Sequence, residues 1–168
     1  MILLATRKRP QQLKSFIDDA VKAQTSHTIL VGIDADDDSY DQIEMPPFMV
    51  RLKTPANLGG VARIYQYMYH LFPNEPWYGM MCDDIRIHTP FWDRMLAQGA
   101  LDYHVITAKN SDNDLYRSDA DHAFISGRYL ASIGGTNYLN FRHFFGDIYV
   151  RSIALNIGME VYYTDDVF

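Results

Sequence analysis

Two adjacent carboxylates, Asp83 and Asp84, end the apolar run Trp77 to Cys82, and apolar character resumes at Ile85. The pattern reads as a buried strand that ends at a site. Neighbouring Asp side chains repel unless a cation or a hydrogen-bonded hydroxyl shares them, and a hard divalent metal suits two such oxygens. Their plainer use is to cap the following turn, where Asp is favoured. A second acidic cluster, Asp34-Ala35-Asp36-Asp37-Asp38, follows the apolar run Thr28 to Ile33. A third acidic stretch, containing Asp112 to Asp121, follows Tyr103 to Ala108. Positive charge gathers at Arg7-Lys8-Arg9, the best local partner for a small anionic ligand. Further along, His143 and Asp147 are spaced by one helical turn, and His122 adjoins Asp121.

The elements that must position these residues alternate. Met1 to Thr6 reads as a short buried strand, and Arg9-Pro10 opens a helix with Leu13, Phe16, Ile17, Ala20 and Val21 at helical spacing. Thr28 to Ile33 is a continuous apolar strand, and Phe48 to Leu52 is another. Asn57-Leu58-Gly59-Gly60 precedes a helix running towards Leu71, and the strand tipped by Asp83 comes next. Thr89-Pro90 starts a helix with Phe91, Trp92, Met95 and Leu96 on one side, followed by a strand Tyr103 to Ala108. The polar stretch Lys109 to Asp121 has no hydrophobic period and is expected as a loop over the site. Gly134-Gly135 marks a break, Arg142 to Ile157 supports a helix ended by Gly158, and Glu160 to Thr164 reads as a last strand. Strands alternating with helices predict an α/β domain with a mainly parallel sheet covered on both faces. Ligands then bind at the carboxyl ends of the strands, where the acidic features gather on one edge.

Composition narrows the function. The 168 residues suit one domain, 48% hydrophobic and 21% charged, with no run of membrane-spanning length. Met1 to Ala5 is too short for a signal-peptide core and its basic cluster follows it, which predicts an intracellular, cytoplasmic chain. The single cysteine, Cys82, excludes an intrachain disulfide and sits where apolar surroundings and acids raise a thiol pKa, so packing is its expected role. A formal charge of −6 argues against nonspecific nucleic-acid binding.

In their order along the chain these motifs resemble the A-type (GT-A) nucleotide-sugar glycosyltransferases, particularly the large inverting family 2. Thr6-Arg7-Lys8-Arg9-Pro10 resembles the family's opening turn, and Ile33-Asp34-Ala35-Asp36-Asp37 its acidic nucleoside loop. Asn57-Leu58-Gly59-Gly60 resembles its Asn-x-Gly helix start, and Cys82-Asp83-Asp84 its Asp-x-Asp metal motif. Thr89-Pro90-x-Trp92-Asp93 is similar to the segment after that motif, and Phe144-Phe145-Gly146-Asp147 to the one bearing the catalytic acid. The chain departs from the pattern in having Cys82 for the first acid, Gly146-Asp147 for Glu-Asp, and no carboxyl-terminal acceptor elements after Tyr163.

The resemblance implies a single-domain, Rossmann-like GT-A fold over residues 1–168 that transfers a sugar, with inversion, from a UDP- or GDP-sugar to a carbohydrate or other hydroxyl acceptor. It implies Mn²⁺ or Mg²⁺ held by Asp84 and Asp83, with His143 as a further candidate ligand. Asp34, with Asp36 and Asp37 as neighbours, would meet the base or ribose. Thr6, Arg7, Arg9 and Asn57 would line the nucleotide site, and Asp147 would be the general base, with Asp121, His122 or His143 as less favoured substitutes. Two alternatives stand beside it. A nucleotidyltransferase shares the nucleotide-plus-metal logic, although such enzymes generally carry a Gly-rich phosphate loop and Thr6 to Pro10 has no glycine. A noncatalytic nucleotide- or carbohydrate-binding module would keep the fold without the turnover. A receiver-type phosphoacceptor domain is set aside, because its acid pair follows the first strand.

Overall fold

The computed structural model describes residues 1–56, 58–108, 122–136, 152–159 and 161–164. Within them the elements run β1 (Ile2–Thr6), α1 (Pro10–Lys22), β2 (Ile29–Asp34), β3 (Met49–Thr54), α2 (Val61–Leu71) and β4 (Trp77–Cys82). They continue with α3 (Trp92–Tyr103), β5 (Val105–Ala108), β6 (Phe124–Ser126), α4 (Gly127–Ser132) and β7 (Val161–Thr164). Residues 152–156 are helical, and Gly158, at φ 78°, follows them in the left-handed conformation that ends a helix.

Among the described residues the strands form one sheet in the order β3-β2-β1-β4-β6-β5-β7. Neighbours pair in parallel except at β6, which is antiparallel to both β4 and β5. Chain order and sheet order diverge at β1: β2 lies on one side of it and β4 on the other. In open α/β sheets the crevice outside such a reversal is where ligands bind.

Alternation along the strands sorts the core into two layers. Ile2 and Leu4 of β1, Ile29, Val31 and Ile33 of β2, and Trp77 and Met81 of β4 pack with Leu13, Phe16 and Ala20 of α1 and Trp92, Leu96 and Ala100 of α3. Leu3 and Ala5, Leu30, and Tyr78 and Met80 turn the other way, onto Ile64, Tyr65 and Met68 of α2 and Leu130 of α4. Such strands read as continuous apolar runs because both faces are covered. Gly32 lacks the space for a side chain on that second face: a Cβ there would lie 2.6 Å from Ile64 Cγ2. Among the described residues no helix is long and apolar enough to cross a membrane.

Three expectations are corrected here. Phe91 and Met95 are 41% exposed, because α3 begins only at Trp92 and its buried stripe runs through Trp92, Asp93, Leu96, Ala97 and Ala100. Tyr103 closes α3 and His104 caps it, so β5 starts at Val105. The strand after Pro46-Pro47 runs Met49–Thr54, two residues past Leu52, and this extension brings Thr54 beside Asp34.

Candidate active site at the carboxyl edge

The period-two alternation that builds the core also places the site. Thr6 continues the face of Ile2 and Leu4, and Asp83 that of Trp77 and Met81. The β1–β4 register pairs Ala5 with Cys82, so the next residues, Thr6 and Asp83, emerge side by side at the reversal point. Thr6 Oγ1 donates to Asp83 Oδ2 at 2.5 Å. The same hydroxyl lies 2.6 Å from the Tyr40 hydroxyl, which accepts from the Arg9 backbone N–H at 2.8 Å. Arg9 Nη2 lies 2.5 Å from Asp83 Oδ1, and its Nη1 donates to Asp84 Oδ2 at 3.1 Å. Asp83 is 1% exposed while the Asp84 side chain is half exposed. Although the guanidinium is close, Asp83 Oδ1 has no aligned hydrogen-bond donor among the described residues. Burial pushes the Asp83 carboxyl up, against the opposing effects of Thr6 and Arg9.

On the other face, Arg7 Nη1 lies 2.8 Å from Asp34 Oδ2, and Thr54 Oγ1 donates to Asp34 Oδ1 at 3.2 Å. Asp34 is thereby buried under Arg7, and the exposed Asp36 stands 3.8 Å from Arg7 Nη2. Asp37 shapes the loop: its carboxylate accepts from Lys8 N at 2.7 Å and from Ser39 N and Oγ at 3.1 and 2.6 Å. These bonds hold the Asp37 pKa down against burial, which opposes them. Lys53 Nζ donates to the Asp37 carbonyl at 2.9 Å and ties the loop to β3.

The structure thus brings Thr6, Arg7, Arg9, Asp34, Asp36, Asp83 and Asp84 to one edge. Arg7 and Arg9 of the basic cluster are engaged with Asp34 and with Asp83 and Asp84. Asn57, Asp121, His143 and Asp147 lie outside the described residues. His122 is described, at φ 55° just before β6. Tyr40 is the site residue that the sequence reading missed. The available signal was an aromatic residue in an acid-rich loop with Ile43 three positions on, a pairing that anchors the loop into the α1 side of the core. Cys82 points to α2, where Tyr65 Oη lies 3.8 Å from its sulfur, and burial pushes its thiol up to about 11. That environment supports packing over nucleophilic chemistry.

As a cation site, Asp83 and Asp84 would supply two hard oxygen ligands, and the buried Asp83 Oδ1 has the Arg9 guanidinium 2.5 Å away without an aligned N–H. Among the described residues no three His, Cys, Asp or Glu side chains converge into a complete metal cage. Two carboxylates without a cage fit Mg²⁺ or Mn²⁺, which are commonly held by one or two carboxylates together with substrate phosphates.

The fold is a Rossmann-like α/β fold of the GT-A and nucleotidyltransferase type. The chain is similar to a mannosyltransferase from Pyrobaculum calidifontis solved with GDP-Man and Mn²⁺, at TM-score 0.79 and 11% identity over 98% of this chain. It spans about half, 54%, of that mannosyltransferase's length. It is also similar to CMP:2-keto-3-deoxy-manno-octonic acid synthetase complexed with CTP, at TM-score 0.62 and 12% identity, covering 98% of this chain and 88% of that one. A Mycobacterium tuberculosis H37Rv protein complexed with manganese matches at TM-score 0.62 and 10% identity, over 98% and 86% of the two chains. At these identities the likeness establishes the fold alone. No known sequence family matches the chain, and no curated protein sequence does.

Proposed function

We propose that the chain is the nucleotide-binding part of a glycosyltransferase that moves a sugar from a nucleoside-diphosphate donor to an acceptor hydroxyl. The observation that carries this reading is the Thr6–Asp83 contact at the reversal point, with Asp84 half exposed beside it and the Arg7–Asp34 pair flanking it. In this reading Asp34 and Asp36, with Arg7, meet the nucleoside, and Thr6 holds Asp83 in place. Asp84 and Asp83 hold Mn²⁺ or Mg²⁺, which when bound offsets the charge that develops on the leaving diphosphate. Asn57 contributes to nucleotide binding, Asp147 takes the acceptor proton, and His143 is a further candidate metal ligand. The likeness to the Pyrobaculum mannosyltransferase, a protein in complex with GDP-Man and Mn²⁺, supports this reading.

Nucleotidyl transfer is the second reading, favoured by the likeness to the CTP-bound synthetase. The two differ in product: sugar transfer releases a nucleoside diphosphate, whereas nucleotidyl transfer from a nucleoside triphosphate releases pyrophosphate. The test is a thermal-shift and calorimetric panel of GDP, UDP, CDP, CTP and GDP- and UDP-sugars, with and without Mn²⁺, followed by product analysis. Metal-dependent diphosphate binding that disappears in Asp84→Ala is expected. Binding of triphosphates alone, with pyrophosphate release, would replace this reading with the second. No nucleotide binding under any condition would remove both.

A further inference from the structure

A single guanidinium spans both carboxylates of the candidate cation site. Arg9 Nη2 lies 2.5 Å from Asp83 Oδ1, and Nη1 lies 3.1 Å from Asp84 Oδ2. The side chain starts from a fixed backbone: the Arg9 N–H donates to Tyr40 Oη, and the Arg9 carbonyl accepts from Gln12 N and Leu13 N in the first turn of α1. Tyr40 is buried and also touches Thr6, so the residue that anchors Arg9 belongs to the same network as Asp83. Beneath the guanidinium, Asp83 Oδ1 is buried and lacks an aligned donor. The contact therefore supplies opposite charge at short range without an aligned N–H.

A divalent cation makes no directional demand, and it would compete with the guanidinium for these two oxygens, because like charges at such range repel. Binding of one therefore opposes the other. Arg9 is about a third exposed, which leaves the guanidinium a side open towards solvent. A diphosphate offers the planar guanidinium a pair of anionic oxygens for two-pronged pairing, as a carboxylate does.

We propose that Arg9 is an internal counter-ion that holds the Asp83–Asp84 site shut until a divalent cation displaces it, and that the displaced guanidinium then pairs with the donor's diphosphate. The proposal rests on the reading of Asp83 and Asp84 as cation ligands given above. It makes metal and nucleotide binding cooperative: the metal frees Arg9 for the diphosphate, and the diphosphate holds Arg9 away from the metal's ligands. By linkage the two effects are equal. It also sets one positive charge against the two carboxylates in the free protein, which offsets part of their mutual repulsion between turnovers.

The test measures binding of Mn²⁺ alone, from the loss of the free-ion electron paramagnetic resonance signal, for the parent, Arg9→Gln and Arg9→Lys. Circular dichroism melts confirm folding. Removing the resident charge is expected to tighten Mn²⁺ binding in Arg9→Gln by about tenfold, within the usual range of such couplings. The same titration with GDP or UDP present, corrected for Mn²⁺ bound by free nucleotide, should show a smaller nucleotide-driven gain in the variant than in the parent. Arg9→Lys keeps the charge but loses the two-pronged reach, so it should fall between them. It also replaces Arg9→Gln should that variant fail to fold, with unchanged Mn²⁺ affinity counting against the proposal. Equal or weaker Mn²⁺ binding by Arg9→Gln overturns the internal counter-ion and leaves the cation site standing. Absence of Mn²⁺ binding by every protein, with or without nucleotide, removes the cation site and the counter-ion together.

Discussion

Thr6 and Asp83 stand 77 positions apart in the chain, and their side chains meet in a 2.5 Å hydrogen bond. The contact exists because β4 adds to the side of β1 that β2 leaves vacant, and because Thr6, the last residue of β1, and Asp83, just after β4, continue the alternation that faces the α1 layer. The Thr6 hydroxyl bridges Asp83 and Tyr40, so it links the loop after β2 to the acid pair after β4. Thr6→Val keeps the shape and removes the bridge. We expect a loss of about 1–3 kcal/mol, the cost of leaving a buried acceptor unpaired, and weaker nucleotide binding. A chemical denaturation curve superimposable on the parent's would show that the bridge adds nothing to stability.

Asp34 is buried beneath Arg7 and braced by Thr54, on the face opposite Thr6. Asp34→Ala is therefore expected to weaken nucleotide binding through loss of the Arg7 pose while leaving any Mn²⁺ dependence in place. Calorimetry with and without Mn²⁺ distinguishes the roles. Loss of the metal effect at unchanged nucleotide affinity would reassign Asp34 to the cation.

Asp147, outside the described residues, carries the base role in the proposed reaction. Asp147→Asn should lower sugar transfer by about 10²- to 10⁴-fold, as expected for a positioned general base, with little change in nucleotide affinity. Transfer at the parent's rate would move the role to Asp121 or His143.

Asp93 is fully buried at the start of α3, where Oδ2 accepts from Ser26 N, Ser26 Oγ and His27 N and lies 2.8 Å from His27 Nδ1. Burial raises its pKa, but these bonds outweigh it and hold the carboxyl below its usual value. For an acid with a lowered folded pKa, the stabilisation is complete above the unfolded value, about 3.9, and fades as pH falls through the folded value. Asp93→Asn should thus lower stability at pH 7 by about 2–3 kcal/mol and flatten the acid limb of the melting temperature against pH. An acid limb as steep as the parent's would assign that steepness to other carboxylates, such as Asp19 in its two-pronged pair with Arg86.

Much of this was legible in the sequence because β1, β2 and β4 are buried on both faces, which leaves long apolar runs ending in polar signals. The two glycines before α2 adopt φ 82° and 138°, and Pro10 opens α1, so the punctuation marked the boundaries it was expected to mark. The strand β6 was missed since Phe124–Ser126 is too short to show a period, and Gly127 follows it directly into α4. That glycine is required by crowding, because a Cβ there would lie 1.9 Å from the Glu75 carbonyl oxygen. The pairing of Arg7 and Arg9 with Asp34, Asp83 and Asp84 was not legible either. Charge runs show which side chains are available, whereas partner choice depends on the order of strands in the sheet.

The reversed direction of β6 bears on how such a chain can diversify. Parallel strands end at the site edge and begin at the far one, so a connection between them has one anchor at each. β5 ends at Ala108 on the site edge, and β6, running the other way, begins at Phe124 on that same edge. Both described anchors of the connection, Ala108 and His122, therefore lie towards the same edge of the sheet as Thr6 and Asp83. If the proposed sugar transfer holds, the stretch between these two anchors is therefore a natural position to vary when acceptor choice is tested.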